Sequence, residues 1–331
     1  MAGACPASLA IAVAKGGGMG ACGALLMDPD AIAAWASEMR AGSNGAFQLN
    51  TWISDPDPKR DPEHEAELRA FLSGWGPEVS AEQAEGAIKD FDTQCAAMLA
   101  AGPHVISSIM GLFPPAFVTQ MKERRIKWFA TATTVTEALA AEAAGADVIV
   151  AQGMEAGGHR GAFEAADAST ALVGLMALLP AVVDAVQVPV VATGGIADAR
   201  GVAAALVLGA SAVQIGTGLL RTPEAQISPV WADAIGAAKP EDTIATRAFS
   251  GRLGRSIRTA YTVAADAPEP APYPIQRNMT APMRSAGAQA GDIDRMQAWA
   301  GQSAGLARSD SASDLVSGLW DDALVLLGGS A

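Results

Sequence analysis

The residues best suited to chemistry lie in one short stretch, 147–161. An apolar run from Val148 to Val150 is followed by Gln152 and then by a glycine-rich loop that carries a single histidine, His159. Glycines in such a loop let the backbone turn sharply and approach a ligand closely. In parallel α/β proteins, catalytic side chains lie at the carboxyl ends of strands. The stretch therefore predicts an active-site loop.

His159 is the candidate catalytic residue of this loop. A histidine whose pKa stays near ~6.5 can hydrogen-bond an anion when protonated, or remove a proton when neutral. The structural alternative is a histidine that is buried and satisfied by a backbone carbonyl. The glycine-rich surroundings favour the catalytic interpretation.

Two further glycine-rich turns predict a phosphate site. Gly194 and Gly195 follow the apolar run 188–193, and Gly216 ends the next apolar run, 212–216, just before Thr217. Backbone N–H groups in paired turns of this kind can converge on one phosphate, and loops after the last two strands are the usual phosphate site of a barrel. A dinucleotide site is disfavoured, because no Gly-x-Gly-x-x-Gly follows the first strand.

Composition excludes several classes of partner. The 331 residues, half of them hydrophobic and 17% charged, suit one large α/β domain, alone or with a smaller appendage. A net charge of −13 argues against nucleic-acid and anionic-membrane partners. No apolar run reaches membrane-spanning length, and no basic-then-apolar leader is present. Cys5, Cys22 and Cys95 are an odd number without a close pair, which predicts reduced thiols, no metal site and a cytoplasmic location.

Seven short apolar segments predict parallel strands that are buried on both faces. They alternate with helical stretches and span 19–26, 46–53, 104–110, 126–131, 148–152, 188–193 and 212–216. A closed (β/α)8 barrel needs eight strands, so an open sheet is an alternative, but the paired glycine turns favour the barrel. A helix predicted at 8–14, ahead of the first strand, suggests that a strand before Met1 is missing or replaced.

Residues 151–161 resemble the signature of the FMN-dependent nitronate monooxygenases, formerly called 2-nitropropane dioxygenases. Met1-Ala2-Gly3 resembles the turn that closes the first barrel strand of that family. The resemblance covers nearly the whole chain and is weakest in 55–95 and 225–290. Three further segments are also similar to the family, namely 128–134, the pair of glycine turns from 192 to 218, and 299–302.

The resemblance implies a (β/α)8 TIM barrel built from 1–224 and 300–331, with a truncated first strand. A smaller, substrate-covering domain, 225–299, would be inserted after strand 8. The implied cofactor is FMN, with His159 acting on the substrate and with Tyr273 and Gln276 as substrate contacts. The implied FMN contacts are Ala2, Gly3, Asn50, Thr131, Gln152, Gly157, Gly158, Gly194, Gly195, Gly216 and Thr217, of which the last four would hold the phosphate.

The implied activity is the oxidation of alkyl nitronates, such as propionate 3-nitronate, with O2 to a carbonyl compound and nitrite. One alternative is an FMN-dependent NAD(P)H reductase of the same fold, an enoyl-acyl-carrier-protein or quinone reductase. Those enzymes typically carry Ile where this chain has Arg160, and a Thr-Arg-Phe-type sequence at Thr217-Gly-Leu. A non-catalytic barrel that binds a phosphate ligand is the other alternative. Segment 251–255 is compatible with an anion-binding loop or a surface turn, and a homodimer is one option for the oligomeric state.

Overall fold

Seven parallel strands form one curled sheet at the centre of this computed structural model, which describes residues 3–86 and 89–329. The strands are β1 (Gly20–Gly23), β2 (Phe47–Trp52), β3 (Val105–Ile109), β4 (Lys127–Ala132), β5 (Val148–Gln152), β6 (Gly158–His159), β7 (Val190–Thr193), β8 (Ala212–Gln214), β9 (Thr243–Thr246) and β10 (Gly254–Ile257). The order of the large sheet is β1-β2-β3-β4-β5-β7-β8, and every neighbouring pair is parallel.

The seven predicted strand segments are confirmed, since each overlaps one strand of the large sheet. The described part of the chain contributes seven of the eight strands that a closed barrel needs. The end strands of this sheet, β1 and β8, do not pair with each other.

Helices connect the strands and cover the sheet. Most of them begin at a side chain that accepts a hydrogen bond from an N–H of the first turn, as at Thr134, whose Oγ1 accepts from the Glu137 N–H at 3.1 Å. Among the described residues, no helix has both the length and the apolarity needed to cross a membrane. The helices are α1 (Ala7–Lys15), α2 (Pro29–Gly42), α3 (Pro62–Ser73), α4 (Ala81–Ala84), α5 (Phe91–Ala101), α6 (Pro115–Glu123), α7 (Val135–Ala143), α8 (Leu175–Ala185), α9 (Ala199–Val207), α10 (Pro229–Ala237), α11 (Ile275–Ala290) and α12 (Ala312–Leu326).

A second, three-stranded sheet has the order β6-β10-β9 and is antiparallel throughout. Its first strand comes from the loop that follows β5, whereas β9 and β10 belong to the predicted insertion, 225–299. Backbone hydrogen bonds therefore connect the predicted active-site loop to the insertion.

The insertion shares its apolar core with an earlier part of the chain. Leu68 and Leu72 of α3 are almost fully buried against Phe249, Ile275 and other side chains of the insertion. The apolar core around the predicted insertion therefore includes α3, which lies between β2 and β3.

Candidate active site

His159 lies on β6, shortly after β5 ends. In the pairing of β6 with β10, Gly254 lies opposite His159 and Arg255 lies opposite Gly158. Successive side chains of a strand point to opposite faces, so a fixed register also fixes the face on which each side chain lies. The insertion therefore determines the direction in which the His159 ring points.

Two buried polar side chains brace the loop between β5 and β6. The Gln152 amide donates to the His159 carbonyl at 3.1 Å and accepts from the Gly161 N–H at 2.8 Å. The Arg160 guanidinium donates to the carbonyls of Gln152 at 2.6 Å and Thr133 at 3.2 Å. A buried carbonyl or N–H without a partner is costly, so these contacts give Gln152 and Arg160 a structural role in holding the loop.

Aromatic rings and one hydroxyl hold the imidazole of His159. The ring centroids of Trp52 and Trp299 lie 4.6 Å and 4.7 Å from the imidazole centroid, and both contacts are edge-to-face. His159 Nε2 lies 2.7 Å from Ser250 Oγ, and Ser250 is buried. Since edge-to-face contacts are favoured between aromatic rings, this arrangement restricts the rotation of the imidazole.

The hydrogen bonds of Ser250 indicate which nitrogen of His159 carries the proton. Ser250 Oγ also lies 3.2 Å from the Arg252 carbonyl oxygen, which can only accept. A serine hydroxyl has one hydrogen, so both contacts are satisfied when Ser250 donates to that carbonyl and accepts from His159 Nε2–H. Nδ1 is then the nitrogen with a free lone pair.

The surroundings of His159 favour the neutral ring. Burial, followed by the positive charges of Arg252, Arg277 and Arg284, lowers the pKa of His159 from 6.5 to about 3. A neutral imidazole can accept a proton at Nδ1, but it cannot hold an anion by its own charge. Of the two roles open to this residue in the sequence, the neutral ring disfavours the binding of an anion by an imidazolium charge.

A cavity of about 820 Å³ opens beside His159 and is lined by the last residues of several strands of the large sheet. This volume is in the range of sites for small ligands and cofactors. The structure brings ten of the predicted site residues to its wall, namely Asn50, Thr131, Gln152, Gly157, Gly158, His159, Gly194, Gly195, Gly216 and Thr217.

The turns after β7 and β8 form a cradle of backbone donors on this wall. Gly194 and Gly195 have φ values of +110° and +71°, which residues with a Cβ rarely adopt. A Cβ on Gly216 would meet no atom within 4 Å, so that turn borders open space. Within residues 3–86 and 89–329, no backbone acceptor bonds the N–H groups of Gly195, Gly216 or Thr217. Unpaired N–H groups of this kind suit a phosphate, so the residues present fit the phosphate of FMN.

Gly157 lies where three loops meet. A Cβ on Gly157 would lie 2.5 Å from Gly301 N and 2.7 Å from Thr217 Oγ1. Thr217 Oγ1 accepts a hydrogen bond from the Gly301 N–H at 3.0 Å. Close packing of backbone therefore requires glycine at position 157, independently of any contact that it makes in the cavity.

Of the four other predicted site residues, Ala2 lies outside the described residues, and the remaining three do not line the cavity. Gly3 is exposed and does not contribute to the wall, which begins at Ala4. Tyr273 is buried behind the wall, with its ring centroid 5.1 Å from that of Trp52.

Gln276, the last of these residues, is buried inside the predicted insertion. Its amide accepts from the Ala271 N–H at 3.0 Å and donates to the Ala248 carbonyl at 2.7 Å. The amide is therefore committed to the backbone of the insertion. The next residue, Arg277, is the one that lines the cavity.

Segment 251–255 is neither a surface turn nor an open anion-binding loop. Arg252 is buried and forms an ion pair with Asp55, with Nε 2.8 Å from Oδ2. Arg255 is also buried and donates to the Met154 carbonyl at 3.0 Å. Both guanidinium groups therefore connect the predicted insertion to loops that follow strands of the large sheet, at Asp55 and Met154.

Several side chains of the wall were missed by the sequence analysis. Trp52 ends β2, Ser250 and Trp299 contact His159, and Arg277 and Arg284 lie on α11. The two arginines left a signal in the sequence, because a spacing of seven residues puts both on one face of a helix. Ser250 left no comparable signal in the sequence, because a single serine before a glycine occurs in many structural contexts.

A curled parallel sheet covered by helices, with a cavity at the carboxyl ends of its strands, is the arrangement of a TIM-barrel-like protein. The model of the nitronate monooxygenase family matches residues 1–322. A probable nitronate monooxygenase of Staphylococcus aureus is 34% identical over 327 residues, which cover 96% of this chain and 91% of the relative. The chain belongs to the nitronate monooxygenase family, whose members are oxidoreductases and in general depend on flavin.

Solved structures agree with this assignment. A nitroalkane oxidase from Streptomyces ansochromogenes superimposes with a TM-score of 0.89 at 32% identity, covering 99% of this chain and 95% of that one. FabK from Thermotoga maritima superimposes with a TM-score of 0.75 at 26% identity, covering 99% and 92%. Membership of an oxidoreductase family removes the non-catalytic binding barrel from the alternatives.

The neutral state of His159 makes the stability of the protein depend on pH. The folded chain binds this proton only near pH 3, whereas the unfolded chain binds it near 6.5. The unfolded state therefore takes up more protons between these values, and stability present above about pH 6.5 is lost as the pH falls toward 3. We expect the Tm of the wild-type protein to fall more steeply between about pH 7 and 5 than that of His159→Gln, as measured by scanning calorimetry. Parallel curves for the two proteins would contradict the assignment.

Proposed function

We propose that the protein is an FMN-dependent nitronate monooxygenase that oxidises alkyl nitronates, such as propionate 3-nitronate, with O2 to a carbonyl compound and nitrite. The observation that carries the proposal is the position of His159, held by Trp52, Trp299 and Ser250 on the wall of a cavity that also contains the donor cradle. The family and the likeness to a nitroalkane oxidase support it.

The cradle residues Gly194, Gly195, Gly216 and Thr217 are the part of the cavity suited to the phosphate of FMN. When bound, FMN would accept electrons from the nitronate and deliver them to O2. Because the donors are backbone N–H groups, they need no side-chain rearrangement to meet the phosphate.

In this proposal His159 acts as a base on neutral nitroalkanes. Nδ1 takes the proton from the carbon that bears the nitro group, while Ser250 keeps Nε2–H in place and so fixes the tautomer. Trp52 and Trp299 pack against the ring, and burial together with the nearby arginines keeps it neutral. A preformed nitronate has already lost that proton and needs no base.

The NAD(P)H-dependent reductase stays as the second candidate, because FabK from Thermotoga maritima has a similar fold. Stopped-flow absorbance of the purified protein under anaerobic conditions separates the two. We expect the flavin to bleach on mixing with a nitronate and to stay oxidised on mixing with NADH or NADPH. Rapid bleaching by either nicotinamide, with none by the nitronate, would favour the reductase.

The donor cradle makes a prediction about the cofactor. FMN and riboflavin share the ring system and differ in the phosphate, and only the phosphate can use the N–H groups of Gly195, Gly216 and Thr217. We therefore expect the flavin-free protein to bind FMN at least about tenfold more tightly than riboflavin, a difference of about 1.4 kcal/mol. Fluorescence titration with each flavin measures this directly. Equal affinities would mean that the cradle does not hold the phosphate.

His159→Gln tests the base. We expect turnover of a neutral nitroalkane to fall by about 10²- to 10⁴-fold, the usual contribution of a positioned base, and turnover of the preformed nitronate to fall much less. Steady-state oxygen consumption with each substrate gives the comparison. His104→Gln is the matched control, because His104 is exposed and does not line the cavity. An equal loss on both substrates would show that His159 has another role.

A further inference from the structure

Glu155 lies in the loop between β5 and β6, and it is half-buried without lining the cavity. Its carboxylate accepts a hydrogen bond from the Leu175 N–H, which lies 2.9 Å from Oε1 and 3.0 Å from Oε2. Leu175 is the first residue of α8, and the preceding residue, Gly174, has no side chain that could accept this bond. Glu155 therefore caps a helix that begins twenty residues later in the chain.

The turn after β7 packs against the same side chain. A Cβ on Gly195 would lie 3.2 Å from Glu155 Cβ, 3.5 Å from its Cγ and 3.9 Å from its Cδ. Apart from the chain neighbours of Gly195, these are the three nearest atoms among the described residues. A Cβ on Gly194 would lie 3.1 Å from the backbone nitrogen of Ala156. The first half of the donor cradle therefore rests on residues 155 and 156.

The backbone of Glu155 connects to the second half of the cradle. Its carbonyl accepts a hydrogen bond from the Gln302 N–H at 2.9 Å. The preceding residue, Gly301, donates its N–H to Thr217 Oγ1 at 3.0 Å. Thr217 is one of the cradle residues that follow β8. Glu155 is thus the residue at which α8, the turn after β7 and the segment that holds Thr217 meet.

The charge of Glu155 acts in a different direction. Burial lowers the pKa of both Arg160 and Arg255, and the negative charge of Glu155 opposes that shift at each of them. The carboxylate therefore stabilises two buried cations behind the loop between β5 and β6. Toward a phosphate the same charge is repulsive, because like charges repel each other. Any support that Glu155 gives to the cradle must come from the shape of its side chain.

We infer that Glu155 is a positioning residue of the cofactor site: its side chain, held at full length by the cap on α8, places the Gly195 turn so that the cradle N–H groups converge on the phosphate of FMN. The inference rests on the proposed function. It separates two properties of one residue. The length of the side chain serves the cradle, whereas the charge serves the two buried arginines.

Two variants separate length from charge. Glu155→Asp keeps the charge but is one methylene shorter, so it cannot both reach the Leu175 N–H and fill the space under Gly195. We expect it to bind FMN about tenfold more weakly than the wild type and riboflavin within about twofold, which abolishes the preference for FMN. Glu155→Gln keeps the length and one acceptor oxygen. We expect it to bind both flavins within about threefold of the wild type, with a lower Tm because the charge is lost. Fluorescence titration of the flavin-free proteins gives the affinities.

Glu142→Asp is the matched control. Glu142 is also half-buried, and its Oε1 accepts from the N–H groups of Gln187 at 2.6 Å and Val188 at 3.1 Å. These two residues precede β7, whereas the cradle follows it. We expect this variant to have a lower Tm and an unchanged preference for FMN over riboflavin. A merely structural role of Glu155 would give the same pattern for Glu155→Asp.

Hydrogen exchange of the wild-type protein tests the same link without a substitution, and so does not depend on the folding of a variant. The Leu175 amide does not line the cavity and is connected to it through Glu155. We expect saturating FMN to slow exchange of this amide at least about threefold more than saturating riboflavin does. The Gln187 amide, which is bonded to Glu142, should respond equally to the two flavins.

Several results would overturn the role of Glu155 and leave the proposed function standing. These are a Glu155→Asp variant that still prefers FMN, one that loses affinity for both flavins equally, and a Glu155→Gln variant that loses the preference as well. Equal exchange of the Leu175 amide with FMN and with riboflavin would have the same meaning. A wild-type protein that binds FMN and riboflavin equally removes the cradle from the proposed function, and the inference fails with it.

Discussion

The antiparallel pairing of β6 with β10 is the interaction on which the candidate site depends. It joins the loop after β5 to the insertion, and its register places His159 opposite Gly254. The same strand, β10, bridges to Trp299 through Ser256. One short set of backbone hydrogen bonds thus brings His159, from the loop after β5, together with Ser250, 91 residues later in the chain, and with the more distant Trp299. Neither segment could form this arrangement alone.

The electrostatics of the cavity follow from what surrounds that ring. The chain as a whole carries a net charge of −13, yet the described cavity wall beside His159 holds two arginines that no carboxylate neutralises. Burial and these charges act in the same direction on His159 and keep it neutral. Because the neutral ring adds no positive charge of its own, the charge on this side of the cavity is that of the two arginines, and it favours negatively charged groups.

Local pattern was enough to predict the strands and both glycine turns. Runs such as 148–152 are apolar without alternation, and Gly194 and Gly195 stand where only glycine accepts the observed φ. Contacts between distant segments could not be predicted in this way. The bond from His159 to Ser250 spans 91 residues, and α3 joins the core of the insertion from nearly two hundred residues away. Gln276 illustrates the limit: it was expected to contact the substrate, but its neighbour Arg277 lines the cavity instead.

The two ends of the cavity differ in the kind of group that they present. At β7 and β8 the donors are backbone N–H groups, whose position depends on the turn. On α11 the charged groups are side chains on a helix that also contributes Ile275 and Met279 to the core. The charge of this part of the cavity therefore depends on individual side chains, whereas the donors of the cradle depend on the course of the backbone.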